Sequence, residues 1–102
     1  MAAKLSNRAE LLLGAVREGS DPSTGRVWLP RLKGTYRIYG EDQGTYGFTP
    51  GGSGDAVNLK NLERRGLISP NDLADYAYIV TEAGIAEYEK IAIRRAADKG
   101  KG

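Results

Sequence analysis

Apolar residues recur at helical spacing near the start of the chain. Four of them lie at i, i+3, i+4 and i+7 and form one stripe, namely Ala9, Leu12, Leu13 and Val16. This stripe predicts a helix over residues 6–18 with one buried side. Asn7 and Glu10 are typical of a capping box, in which the Asn7 side chain accepts from an early amide and Glu10 reaches back. Gly19 is expected to end the helix.

Residues 26–54 have a pattern that fits two structures. Their aromatic and β-branched content favours strands over residues 26–29, 35–39 and 45–49, with a hairpin about residues 40–44. A helix is the alternative, because four apolar residues lie at i, i+3, i+7 and i+10, namely Leu29, Leu32, Tyr36 and Tyr39. Pro30 suits its first turn and Gly40 its end, although Gly34 costs such a helix about 1 kcal/mol. We slightly prefer the helix at residues 30–39.

Two further helices are predicted in the second half of the chain. In the first, over residues 55–65, Leu59, Leu62 and the terminal Gly66 share one face, which is narrow enough to pack on one side only. The opposite face carries four residues at i, i+3, i+4 and i+7, namely Val57, Lys60, Asn61 and Arg64. The segment between the two helices, residues 67–80, reads as two short strands joined by a polar turn.

The last predicted helix covers residues 81–97, with Thr81 as its N-cap. Its apolar residues spread over more than half of the circumference, namely Ile85, Tyr88, Ile91, Ala92, Ile93 and Ala96. A helix lying on a monomer needs a narrower stripe. We therefore expect a homodimer formed through this helix. Residues 98–102 are expected to be frayed.

Composition limits the chemistry that the chain can carry. A length of 102 residues predicts one domain, and 27% charged residues with a net charge of +2 neither demand nor exclude an acidic partner. The chain has no Cys and no His, so it lacks the commonest metal ligands and the commonest general base. We expect no enzyme activity, no cofactor and no metal. The apolar run at residues 11–13 is too short for a membrane span, which predicts a cytoplasmic protein with no membrane partner.

Two motifs, LKNLERRGLI at residues 59–68 and YIVTEAG at residues 78–84, resemble the winged helix-turn-helix regulators, most closely the MarR-like and PadR-like families. Residues 59–68, LKNLERRGLI, are similar to the end of their recognition helix and the first wing strand. Residues 78–84, YIVTEAG, are similar to the second wing strand and the start of the closing helix, and residues 49–51 resemble the turn before the recognition helix in PadR-like members. The resemblance implies an α+β fold: a single winged-helix domain with a β-hairpin wing. It also implies sequence-specific binding of double-stranded DNA in transcriptional control.

The exposed face of the 55–65 helix has the chemistry for this role. Arg pairs with guanine, Asn with adenine, Lys with guanine or phosphate, and the methyl groups of Val contact thymine. We therefore expect Val57, Lys60, Asn61 and Arg64 to enter the major groove. Phosphate contacts are expected from Arg65, Arg31, Lys33 and Arg37.

The predicted wing turn departs from that family pattern. It carries Asp72 and Asp75, where wings that contact DNA usually carry Arg or Lys. The segment before Pro50 also lacks a clear second helix and is rich in Gly and Tyr. A second hypothesis is therefore a protein-interaction module or inhibitor that acts through its acidic wing and its Tyr-rich segment.

Overall fold

The computed structural model of the chain describes residues 5–21, 23–29, 34–39, 41–46, 55–71 and 74–100. Side chains are described in these ranges except at residues 34–37, 41–46 and 98–100. Within these ranges the protein has an α+β fold with three helices, a three-stranded antiparallel sheet and a separate β-hairpin.

The helices and strands follow one another in mixed order. The helices are α1 (Asn7–Glu18), α2 (Asp55–Arg64) and α3 (Glu82–Gly100). The strands are β1 (Arg26–Trp28), β2 (Gly34–Ile38), β3 (Glu41–Tyr46), β4 (Ile68–Pro70) and β5 (Ala77–Val80). The strand predicted at 26–29, the two strands between the later helices and the three helices outside residues 26–54 are therefore present.

Helix α1 buries the predicted stripe, since Ala9, Leu12, Leu13 and Val16 are all fully buried. Gly19 ends the helix and donates its backbone N–H to Ala15. The predicted capping box is wrong. The cap is Ser6, whose side chain accepts from the Ala9 amide at 3.2 Å. Glu10 does not reach back to the cap, because its carboxylate is only 2% exposed and turns into the protein.

The three-stranded sheet has the order β1-β5-β4, with both pairs antiparallel. In β1 and β5, Val27 lies opposite Tyr78 and Arg26 lies opposite Ile79. In β4 and β5, Ile68 lies opposite Val80. Val27, Ile68 and Tyr78 are buried, so one face of the sheet covers the core. The strand that follows α1 thus pairs with the last strand of the chain.

The preferred helix at residues 30–39 is wrong, since Gly34–Ile38 is a strand paired with Glu41–Tyr46. The strand interpretation is right in kind, but the second strand begins at Glu41 and not at residue 45. Ile38 pairs with Glu41, so the turn begins directly after Ile38. Tyr39 has a φ of 57° in this turn. Two-residue hairpin turns need positive φ, because only that backbone twist matches the flanking strands.

The tip of this hairpin lies in the core against α1. Ile38 is 1% exposed and Tyr39 is 8% exposed, and both approach Gly14 in the middle of α1. The Tyr39 hydroxyl donates to the Glu10 carbonyl oxygen at 2.8 Å, and its ring stacks on Tyr88 with centroids 4.7 Å apart. The hairpin therefore joins α1 to α3.

Helix α3 begins as predicted and ends later than predicted. The Thr81 hydroxyl accepts from the Gly84 amide at 3.0 Å and caps the helix. The helix continues to Gly100, three residues beyond the predicted end, and the fraying expected for residues 98–102 stays a prediction. Its apolar residues divide into two groups. Tyr88, Ile91 and Ala92 pack on the protein's own core, whereas Ile93 is 71% exposed. Most of the wide apolar surface is thereby explained without a second chain.

Candidate nucleic-acid interface

An ion pair between the partly exposed Arg8 and the buried carboxylate of Asp55 anchors the beginning of α2 to α1. Arg8 donates from Nε to Asp55 Oδ1 and from Nη2 to Asp55 Oδ2, both at 2.7 Å. The Asp55 carboxylate is 1% exposed, so both of its oxygens are held where water is excluded. Such a bidentate pair fixes the orientation of the guanidinium relative to the carboxylate as well as the distance between them. The position in the first turn also places the negative charge at the positive end of the helix dipole.

The rest of α2 separates into a buried side and a solvent side. Leu59 is 1% exposed and Leu62 is fully buried against the core, as the apolar face predicted. Because each helical residue turns the chain by about 100°, Arg64 lies roughly opposite Asp55. Val57 lies near Arg64 on the same side and is 71% exposed. Lys60 is exposed and Asn61 is half-buried at the border. The structure thus brings together the four residues predicted for the groove.

The charges on this solvent side are available to a partner. Within the described residues, neither Lys60 nor Arg64 forms an ion pair or a side-chain hydrogen bond. Glu63 is exposed on the flank of the helix, roughly 100° from Arg64. Glu63 lies closer to Lys60, about 60° away and one turn on, so one carboxylate borders the line of Val57, Lys60 and Arg64. This line therefore presents one exposed valine followed, towards the C-terminal end of the helix, by two cations.

The residues predicted to contact phosphates are less clearly grouped. Arg65 is half-buried and takes part in further interactions within the protein, so it is less accessible than Arg64. Arg37 belongs to β2, but its side chain lies outside the described ones. Arg31 and Lys33 lie outside the described residues. Their proposed contacts with phosphates stay predictions.

A compact junction sets the direction of the two strands after α2. Gly66 has a φ of 76°, a left-handed conformation that suits glycine at the end of a helix. The Leu67 amide donates to Leu62 at 3.0 Å and the Thr81 amide donates to Leu67 at 3.1 Å. The Thr81 hydroxyl also donates to the Gly66 carbonyl oxygen at 2.5 Å. One threonine therefore ties the end of α2 to the start of α3.

The turn between β4 and β5 is held from both sides. The Asn71 amide donates to the Ala77 carbonyl oxygen at 2.8 Å. Trp28 Nε1 donates to the Asp75 carbonyl oxygen at 3.0 Å, which fastens the turn to β1. Asp75 is exposed, so one of the two predicted acidic residues of the turn faces solvent. Asp72 lies outside the described residues.

A second buried cluster was missed by sequence reasoning. Glu10 accepts from Arg94 Nη2 at 2.6 Å and from Arg95 Nη2 at 3.0 Å. The Arg95 guanidinium also lies 4.9 Å from the centre of the Tyr39 ring. Burial raises the pKa of Tyr39, and burial together with the hydrogen bond to Glu18 raises the pKa of Tyr88 to about 12. Both phenols are neutral hydrogen-bond donors at physiological pH.

This cluster is structural, because it joins α1, the hairpin tip and α3. Its only signal in the sequence is a charged residue, Glu10, inside the apolar segment of α1. The Tyr-rich segment of the second hypothesis also contributes to it, since the described Tyr39 side chain is buried and not presented to a partner. That finding weakens the segment as a docking surface.

The described residues hold neither a cluster of metal ligands nor a membrane-spanning helix. There, no three acidic side chains come together in a way that could hold a metal ion. None of the helices in the same ranges has the length and apolar character needed to cross a membrane.

Comparison with protein-family models, curated proteins and solved structures finds no match to this chain. The function must therefore be inferred from the chemistry and geometry of the molecule itself.

Proposed function

We propose that this protein binds double-stranded DNA in a sequence-specific manner and acts in transcriptional control, with α2 in the major groove. The observation that carries the proposal is the solvent side of α2. It places Val57, Lys60 and Arg64 in one exposed line with Asn61 at its border. These side chains can read guanine, adenine and the thymine methyl group.

The way in which α2 is held supports this role. A helix that reads bases must keep its orientation, because a rotation would exchange the residues that reach the groove. The Arg8–Asp55 pair and the buried Leu59 and Leu62 fix that rotation on the inner side. None of these residues belongs to the solvent side, so DNA contact does not compete with packing.

From α2 onwards, the order of elements is the one expected for a winged-helix domain. Helix α2 leads through Gly66 into the antiparallel pair β4 and β5, which leads directly into α3. The described part of the preceding segment is a β-hairpin, where a helix-turn-helix protein has a helix that crosses the DNA backbone. In this chain α1 supports α2 from behind, and contacts to the backbone must come from Arg65 or from residues between β1 and α2.

The wing contributes little to DNA affinity in this proposal. Asp75 is exposed on the turn and Asp72 precedes it by three residues in the sequence, so the turn repels phosphates instead of neutralising them. Replacing Asp75 by Lys should increase non-specific affinity if the turn approaches the DNA backbone. An unchanged affinity would place the turn away from the DNA.

The deciding experiment starts with selection of bound duplexes from a random pool with purified protein. Binding of the selected duplex is then measured by fluorescence anisotropy for wild type and variants. Arg64→Ala or Asn61→Ala should each cost about 1–3 kcal/mol and relax preference at one base position. Arg65→Ala should weaken all sequences alike and lower the salt slope by about one unit. Lys90→Ala is the matched control, because it removes an exposed cation from α3.

Two results together would overturn the proposal. One is the absence of duplex binding at protein concentrations up to about 10⁻⁴ M, the weak limit of ordinary non-specific affinity. The other is an Arg64→Ala variant that behaves like the Lys90→Ala control. If Arg64→Ala and Asn61→Ala lower the affinity for DNA without changing the base preference, DNA remains the partner, but α2 is not the element that reads the bases.

A further inference from the structure

The exposed side chains of α2 change in length and charge from one end of the helix to the other. In the first half of the helix, residues 55–59, Val57 is the only exposed residue, and the Asp55 carboxylate is buried and paired with Arg8. The second half carries the exposed charged residues, namely Lys60, Glu63 and Arg64. The exposed side therefore begins with a short apolar side chain and ends with long charged ones.

This gradient of length indicates how α2 meets a row of base edges. The methyl groups of Val57 lie close to the helix backbone, and carbon atoms make contact at about 3.5–4.0 Å. The first half of the helix must therefore lie near any base that Val57 contacts. Arg64 carries its guanidinium on a long flexible chain, so it reaches the same row of bases from farther away. A helix inclined with its first turn nearest to the bases satisfies both residues.

The carboxylate of Glu63 borders the line of Val57, Lys60 and Arg64 on one side. Burial raises the pKa of Tyr78, and the negative charge of Glu63 raises it further, which places that charge near the Tyr78 phenol. Lys60 is about 60° from Glu63 around the helix, so the two side chains attract each other. Arg64 is about 100° from Glu63 and only about 20° from Val57. Arg64 is therefore the cation better placed to bind a base.

The spacing of Val57 and Arg64 sets the length of DNA that they can cover. The two residues lie at i and i+7, which corresponds to about 10 Å along the helix axis. Stacked base pairs are about 3.4 Å apart. Because a helix in the major groove is inclined to the DNA axis, this length covers about three or four neighbouring base pairs. The two side chains therefore contact bases about two or three positions apart.

The two side chains differ in the base that they recognise. The methyl groups of valine contact the C5-methyl group, which among the four bases only thymine presents in the major groove. The guanidinium of arginine donates two hydrogen bonds to O6 and N7 of guanine. Adenine presents one acceptor there in place of two, and cytosine presents a donor. A base pair is thereby specified at each end of the line.

We infer, on the basis of the proposed function, that α2 recognises a DNA site with a thymine and a guanine about two or three base pairs apart. The first turn of the helix lies nearest to the bases. Val57 contacts the thymine methyl group, and Arg64 binds the guanine from the other end of the helix.

The test removes single groups from the duplex that is selected with the purified protein. Replacement of the thymine by uracil deletes only the C5-methyl group, and burial of one methyl group corresponds to about fourfold in affinity. Wild type should therefore bind the uracil duplex about fourfold more weakly, whereas Val57→Ala should bind both duplexes alike. Val57→Thr keeps one methyl group and should keep part of the difference. Val57 is 71% exposed, so these substitutions leave the packing of α2 intact.

The guanine contact is tested in the same way. Replacement of the guanine by 7-deazaguanine removes the N7 acceptor and should weaken wild-type binding about fivefold or more. Arg64→Ala should bind the guanine and 7-deazaguanine duplexes alike. The Lys90→Ala control, which lacks an exposed cation of α3, should respond to uracil and to 7-deazaguanine as wild type does.

The inference and the proposed function fail in different ways. If no duplex is bound, both are wrong. If a duplex is bound with base preference but Val57→Ala stays as sensitive to uracil as wild type, only the inference is overturned. The same holds if Arg64→Ala stays as sensitive to 7-deazaguanine. A selected site without a thymine and a guanine at this spacing also overturns it.

Discussion

Replacement of Gly14 by Ala separates two effects of opposite sign. Gly14 lies in the middle of α1, where Ala is the better helix former by about 1 kcal/mol. A Cβ at this position would lie 2.2 Å from Ile38 Cγ2 and 2.9 Å from Tyr39 Cε2. Carbon atoms pack at about 3.5–4.0 Å. The hairpin tip must therefore move away from α1 in the variant.

The packing term should exceed the helix-propensity term. Overfilling a well-packed core costs about 1–3 kcal/mol. Ile38 is 1% exposed and branches at Cβ, so its Cγ2 cannot swing aside without moving the strand. Such a movement also disturbs Tyr39, which is bonded to Glu10 and stacked on Tyr88. We expect Gly14→Ala to lower the free energy of unfolding by about 1–2 kcal/mol after the gain in propensity.

Urea denaturation followed by circular dichroism measures this difference. Ile38→Ala supplies the control, because it removes the Cγ2 atom that the new methyl group would meet. In that background Gly14→Ala should cost less than in wild type, because only the contacts with the Tyr39 ring remain, the nearer at 2.9 Å, which gives a clear coupling in a double-mutant cycle. If Gly14→Ala alone raises the free energy of unfolding by about 1 kcal/mol, the close approach of the hairpin tip to α1 is refuted.

Three other predictions follow from particular contacts. Gly84→Ala would place a Cβ 2.0 Å from the Leu67 carbonyl oxygen, so thermal melts should show a loss of at least about 1–3 kcal/mol, and a neutral result would contradict the tight junction after α2. Burial and the bond to Glu18 raise the pKa of Tyr88 from 10.0 to about 12, so stability is retained below pH 10.0 and falls as pH rises through 12. Tyr88→Phe should make that fall shallower in pH-dependent urea midpoints, and an unchanged slope would exclude Tyr88. Sedimentation at micromolar concentration should show twice the 11.0 kDa chain mass if the exposed Ile93 lies in a homodimer interface, and Ile93→Ser should restore the monomer; a wild-type monomer at high concentration would reject the dimer.

Helices with a local signal were predictable from the sequence. The stripe of Ala9, Leu12 and Val16 lies on consecutive turns, and all three residues are fully buried. In α2 the positions of Leu59 and Leu62 likewise gave the correct buried side. Since period and burial coincide in these segments, the exposed side of α2 could also be predicted. The cap of α1 was misplaced by one residue, because Ser6 and Asn7 are both suitable capping residues.

The β-hairpin could not be distinguished from a helix by the same reasoning. Leu29 and Tyr39 fit a helical period, yet Leu29 follows β1 and Tyr39 occupies the turn of the hairpin. The hairpin is stabilised where Ile38 and Tyr39 meet Gly14, a contact between residues far apart in sequence. Gly14 in a helix interior was the available signal, because a glycine there often permits a close approach.

In the candidate interface, too, some features follow from local sequence and others depend on contacts between distant residues. The residues on the solvent side of α2 follow from its period alone. The contacts that fix the orientation of α2 could not be predicted from that period. They join residues far apart in sequence, since Arg8 and Asp55 are 47 positions apart and Glu10 and Arg94 are 84 positions apart. A carboxylate in either place looks like surface charge until its partner is known.

The two buried carboxylates have different consequences for the molecule. Asp55 sits at the start of α2 and takes a bidentate pair from Arg8, so it specifies how that helix is rotated on α1. Glu10 binds two arginines from α3 and therefore specifies where the last helix lies. A buried ion pair is weak as a source of net stability, because desolvation offsets the attraction, but removing one partner leaves an uncompensated charge. These pairs therefore select one arrangement of the helices, and in that arrangement Val57, Lys60 and Arg64 face solvent.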